Sequence, residues 1–107
     1  MTKEERLELY DDAEKTWGTI PQFDQCIEEM GELIVAINKY KRHNLFNEEF
    51  SYDITDNLIE ELADVFMCIE QLIHITGEEK VFTMLDKKLK KMKMQLEKYK
   101  KIKQEKA

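Results

Sequence analysis

Apolar residues recur along this chain at intervals of three and four, and the intervals group into four stretches. Leu7, Leu9, Tyr10, Ala13 and Trp17 mark the first, which predicts a helix over about residues 2–17. Such spacing sets side chains on one flank of an α-helix. Gly18 and Pro21 interrupt the pattern, and Pro21 suits the first turn of a second helix over about residues 21–42. Between His43 and Thr55 the periodicity lapses, which reads as a connection with room for a short turn of its own. Asp53, Thr55, Asp56 and Asn57 are each suited to cap a third helix that ends at Gly77. The fourth helix starts near Glu78 or Glu79 and carries Leu85, Leu89, Met92, Leu96 and Tyr99 as a narrow stripe among lysines. Its last residues, KQEKA, are expected to fray. The fold expected is all-α: a four-helix bundle-like single domain over residues 1–107, with a basic C-terminal helix over about 78–103.

Composition sharpens this picture by exclusion. The 107 residues are 42% hydrophobic with only three Gly and one Pro, too apolar for a disordered chain and too poor in turn residues for a many-stranded one. No apolar run approaches the roughly 20 residues of a membrane span, and the charged N-terminal residues lack a secretory core. A cytoplasmic protein is therefore expected, with Cys26 and Cys68 as reduced thiols inside apolar helical patterns. The net charge of −6 is unevenly spread, since residues 86–107 hold ten Lys against Asp86, Glu97 and Glu105. The remainder is strongly acidic and would repel a nucleic-acid backbone, so no nucleic-acid partner is expected. A carboxylate-rich body invites a hard divalent cation instead.

Where those carboxylates sit is set by an internal echo. Residues 26–37, CIEEMGELIVAI, align at an offset of 32 with residues 58–69, LIEELADVFMCI, and pair apolar with apolar, small with small and acid with acid. At roughly 100° per residue, Cys26, Met30, Leu33 and Ile37 centre the apolar arc of the second helix, with Ala36 and Tyr40 on one shoulder. Glu29 falls on that shoulder and Glu32 one step beyond it. Leu58, Leu62, Val65 and Ile69 centre the arc of the third helix, with Cys68 and Leu72 on the matching shoulder beside Glu61 and Asp64. Glu28 and Glu60 point away. Each middle helix thus offers an acid pair spaced i, i+3 on one flank of its packing face.

Four carboxylates brought to a helix seam repel one another and lose solvation, which costs several kcal/mol (order of magnitude) unless a counter-charge is present. Lys39, Lys41 and Arg42 are the basic groups of the second helix, and the third has no Lys or Arg. Divalent cations supply the missing charge, and an all-oxygen ligand set selects Mg²⁺, with Mn²⁺ as a substitute, over Zn²⁺. The bland reading is that these are surface acids of amphipathic helices, in a non-catalytic helical interaction module with at most a structural cation site. A redox di-metal bundle is disfavoured, because its Glu-x-x-His pairs are missing and Gln71 stands three residues before His74.

At these residues the chain resembles the MazG-like, all-α nucleoside triphosphate pyrophosphohydrolases. The family pattern is Glu-Glu-x-x-Glu followed, after a gap, by Glu-x-x-Asp. Here it reads Glu28-Glu29-Met30-Gly31-Glu32, then 28 residues, then Glu61-Leu62-Ala63-Asp64. The resemblance is best over about residues 17–73. It implies hydrolysis of a (deoxy)nucleoside triphosphate to the monophosphate and pyrophosphate, through Mg²⁺-assisted attack of water on the α-phosphate. By position it implies Glu29, Glu32, Glu61 and Asp64 as both metal ligands and catalytic residues. The Lys and Asn pairing that many relatives carry in the last helix is not found here, only the lysine-rich run from Lys87.

Substrate contacts leave alternatives open. Lys39 reads either as a phosphate contact or as a solvated helix-end lysine. Asn57, one turn before Glu61, reads as a sugar or phosphate contact or as a helix cap. Trp17 and Gln22 flank the first turn, where a nucleobase could stack or be read, although Trp17 also suits a core anchor. A domain this small and this apolar, with Phe46, Phe50 and Phe82 near its helix ends, is expected to form a homo-dimer or homo-tetramer.

Overall fold

The computed structural model describes residues 1–45 and 52–106, and within them the chain forms four α-helices and no strand. The helices are α1 (Lys3–Trp17), α2 (Thr19–Leu45), α3 (Tyr52–Thr76) and α4 (Glu78–Lys106). The all-α, four-helix expectation holds.

Local chemistry explains the boundaries. Thr2 caps α1 in a capping box: its hydroxyl accepts from the Glu5 backbone N–H at 3.2 Å, and the Glu5 carboxylate accepts from the Thr2 N–H at 3.2 Å. Gly18 ends α1 at φ +92°, a conformation open to glycine, and its N–H donates to the Glu14 carbonyl at 2.8 Å. Helix α2 begins two residues earlier than expected, so Pro21 sits inside the first turn, where its missing N–H is not needed. Helix α3 begins at Tyr52, which places Asp53, Thr55, Asp56 and Asn57 within the helix rather than at its cap. Gly77, at φ +119°, separates α3 from α4. The C-terminal residues expected to fray continue α4 as far as Lys106. Both flanking helices extend into the stretch where the periodicity lapses. Residues 46–51, with Phe46 and Phe50 and the expected short turn, lie outside the described residues.

The helices group into two compact units, Met1–His74 and Ile75–Ala107. In the first, α1, α2 and α3 pack around Tyr10, Cys26, Ala36, Val65 and Cys68. Helix α1 is tied to α3 by charge: Arg6 Nε and Nη2 donate to the two oxygens of Glu70 at 2.7 and 3.1 Å, and the Tyr10 hydroxyl donates to Glu70 at 2.7 Å. Asp11 and His74 add a second tie at 2.8 Å. The Cys26 thiol contacts the Cys68 carbonyl at 3.6 Å across the α2–α3 seam.

That seam is rotated from the expected apolar arcs. Ala36 and Cys68, read as shoulder positions, are each 1% exposed, whereas the arc centres Ile37, Leu62 and Ile69 are exposed. Small side chains allow two helix backbones to approach, so the helices meet where Cys26, Ala36 and Cys68 leave room. The rotation carries the seam towards the acids. The second unit, α4, has no buried residue among those described, and its lysine-rich surface includes an Asp86–Lys90 pair at 2.8 Å.

Candidate metal centre and adjoining cavity

Glu29 and Glu32 leave α2 on one flank, and Glu61 leaves α3 opposite them. One carboxylate oxygen from each of the three lies within 4.8 Å of the others. No lysine or arginine among the described residues is seen in an ion pair with them. Glu29 and Glu61 are half-buried and Glu32 is exposed, so the cluster opens to solvent on the Glu32 side. Glu29 Oε1 accepts from the Gln25 side chain one turn earlier, at 2.7 Å. Glu29 Oε2 and Glu61 Oε2 are both shut off from solvent and have no hydrogen-bond donor.

The electrostatics follow from that geometry. Burial first, and then the charges of Glu32 and Asp64, hold the Glu29 carboxyl above its ordinary range. Burial, then Asp64 and Glu29, raise Glu61 in the same way. Asp64 therefore acts on both, although it is outside the group of three that lies within 4.8 Å. Burial, and then the contact with Cys26, push the Cys68 thiol up to about 12; both cysteines are buried, free thiols. Two desolvated oxygens without donors, among acids that repel one another, are the kind of donor set that suits a hard cation. The donor set is all oxygen, which fits Mg²⁺ or Mn²⁺.

Beside the acids lies a cavity of about 660 Å³, walled by α1, α2 and α3 and reaching Glu29. Trp17 and Gln22 line it, as do Tyr10, Gln25, Met67 and Gln71. Trp17 is 68% exposed, which removes the core-anchor reading. Lys39 is exposed on α2 and Asn57 is half-buried inside α3; neither lines this cavity, and capping is excluded for Asn57.

The MazG nucleotide pyrophosphohydrolase domain model matches residues 23–102, most of the chain and both acid pairs. The chain belongs to this family. Comparison with curated proteins and with solved structures gave no significant match to either. As a MazG domain it is a nucleotide pyrophosphohydrolase by family, in which a divalent metal is typical. No helix among the described residues is long and apolar enough to cross a membrane.

Two site residues escaped the sequence reading. Gln25 could have been found by extending the 32-residue echo one position: it pairs with Asn57, and each amide stands one turn before the first acid of its i, i+3 pair, Glu29 or Glu61. Gln71 continues the flank of Glu61, Asp64 and Cys68 at i+10, but its pairing with Gln22 at the start of α2 is shown only by the packing of the two helices.

Proposed function

We propose that this MazG domain hydrolyses a nucleoside triphosphate, deoxy or ribo, to the monophosphate and pyrophosphate, with Mg²⁺ (or Mn²⁺) held by Glu29, Glu32, Glu61 and Asp64. The observation that supports this most is the convergence of three carboxylates from two helices within 4.8 Å, two of them with buried, donor-free oxygens. When bound, the divalent ion supplies charge neutralisation for the triphosphate and a lowered pKa for the attacking water. The chain's own residues do the rest. Gln25 holds one oxygen of Glu29, which fixes the direction of the other. Glu29 or Glu32 takes the proton of the water that attacks the α-phosphorus, and pyrophosphate departs in line. The cavity beside Glu29 takes the nucleoside, with Trp17 available to stack on the base and Gln22 to read it. Lys39 and Asn57 are assigned to the phosphate and sugar.

We read the whole chain as one MazG domain working as a homo-dimer or homo-tetramer in the cytoplasm. Ile59, Leu62, Phe66 and Ile69 support self-association, since they form an exposed i, i+3, i+7, i+10 stripe on α3. Two free thiols suit a reducing compartment. The test is incubation with Mg²⁺ and a nucleoside triphosphate panel, reading pyrophosphate and monophosphate. Glu61→Gln should lose at least about 100-fold in turnover while keeping its helical circular dichroism. Unchanged turnover in that variant rejects the assignment.

A further inference from the structure

The cavity wall facing the Trp17 ring is largely apolar, built from Leu9, Pro21 and Met67 among others. Polar residues line it too, among them Asp12, Thr16 and Gln25, and polar groups in such a wall set orientation and selectivity. Gln22 on α2 and Gln71 on α3 are two of them, both half-buried, and Gln71 Nε2 donates to Gln22 Oε1 at 2.9 Å. The bond that orients each amide is thus to the other.

Two amides joined in this way leave one N–H₂ and one carbonyl for a ligand: the amino group of Gln22 and the carbonyl of Gln71. Turning both amides over reverses the bond with almost no change of shape. Gln22 then donates to Gln71, and the groups left over exchange places, carbonyl from Gln22 and N–H₂ from Gln71. A base with a keto group next to a ring N–H matches the first arrangement. A base with an amino group next to a bare ring nitrogen, held in the same pose, matches the second.

We propose that Gln71 and Gln22 form an invertible amide pair that reads the Watson–Crick edge of the nucleobase, so that a keto base and its amino counterpart of the same ring size are both accepted and Gln71 sets base affinity. The inference rests on the hydrolase reading and adds to it a residue and a rule for substrate choice. It also accounts for why two glutamines stand here: a fixed donor or a carboxylate would serve one class of base only.

The experiment compares dUTP, dCTP and deoxyribose 5′-triphosphate, which has no base, on the wild type, Gln71→Leu and Gln71→Asn. Wild-type kcat/KM for dUTP and dCTP is expected to agree within about tenfold. Gln71→Leu keeps the bulk but removes both hydrogen-bonding functions, and it should lose about tenfold or more on both nucleotides, mainly through KM. Its rate on deoxyribose triphosphate should stay at the wild-type level. Gln71→Asn, which withdraws the amide from Gln22 by one methylene, guards against misfolding of the Leu variant and should show the same pattern. Binding is read without turnover from the fluorescence of Trp17, the single tryptophan, titrated with the α,β-imido analogue of dUTP. Weakened quenching in both variants supports the pair. A wild type that separates dUTP from dCTP by more than about 100-fold, or variants that keep wild-type KM on both, overturns the pair while leaving the hydrolase intact. A wild type inactive on all three substrates but active on dGTP or dATP overturns the inference alone; inactivity on these purine nucleotides as well takes down the hydrolase reading, and this inference with it.

Discussion

Replacing Glu61 by Gln should raise the melting temperature of the metal-free protein and abolish most of the gain from Mg²⁺. The three carboxylates of the cluster lie within 4.8 Å of one another. That is well inside the Debye length of about 8 Å at physiological salt, so their repulsion is largely unscreened. Glu61 is held above the ordinary carboxylate range by burial and by Asp64 and Glu29, the mark of a group whose ionisation opposes folding. Gln keeps the volume and removes the charge, which relieves the strain in the absence of metal. In the wild type, Mg²⁺ at about 100 times its Kd stabilises by about 2.7 kcal/mol. For a domain of this size that is a rise of about 10–20 °C in Tm. With one ligand gone, Glu61→Gln should show a small part of that rise at the same Mg²⁺ concentration. Differential scanning fluorimetry with and without Mg²⁺ reads all four values. A lower metal-free Tm in the variant together with an undiminished Mg²⁺ shift would refute the reasoning, since it would make Glu61 an ordinary structural residue.

Other consequences are open to direct measurement. Tyr10→Phe removes the 2.7 Å hydroxyl bond to Glu70 and should cost about 1–2 kcal/mol in a urea melt, less than a fully isolated charged bond because Arg6 still holds the carboxylate. The hydrogen bonds from Arg6, and then from Tyr10, hold the Glu70 carboxyl below its usual range. Its stabilisation is therefore present above the ordinary glutamate pKa of about 4.3 and lost as pH falls through the lower folded value. A stability-versus-pH curve should fall on this acid side in the wild type and flatten in Arg6→Gln. Phe66→Glu places a charge in the exposed α3 stripe and should shift the protein towards monomer in sedimentation velocity; a monomeric wild type would remove the oligomer from the account.

The acids of the proposed metal centre were readable because acids have both a period and a sign. Glu29, Glu32, Glu61 and Asp64 repeat at the same offset in two amphipathic helices, and a wheel is enough to put them on one flank. The wheel placed the seam only in part, however, because it weights positions by hydrophobicity: the arc centres Cys26 and Val65 are buried, while Ile37, Leu62 and Ile69 are exposed. What decides how closely two helices approach is side-chain volume, and Ala36, Cys26 and Cys68 are the small residues that let α2 and α3 meet on the acid side. Helix starts were misjudged for a related reason. Asp53 and Thr55 are good caps, yet α3 starts at Tyr52, so cap preference yielded to the demands of the surrounding structure. Trp17 could be placed at the first turn but not assigned to core or cavity, since an indole suits both. Gln71 follows Glu61, Asp64 and Cys68 on the same flank, but its partner Gln22 stands in another helix, which a single-helix wheel does not show.

The central claim is that the acid cluster directs water to the α-phosphorus of a nucleoside triphosphate. Hydrolysis in ¹⁸O-labelled water with Mg²⁺, followed by mass analysis of both products, tests it at the atom concerned. The label should appear in the nucleoside monophosphate and be absent from pyrophosphate. Label in the pyrophosphate, or release of inorganic phosphate as the first product, would contradict the account.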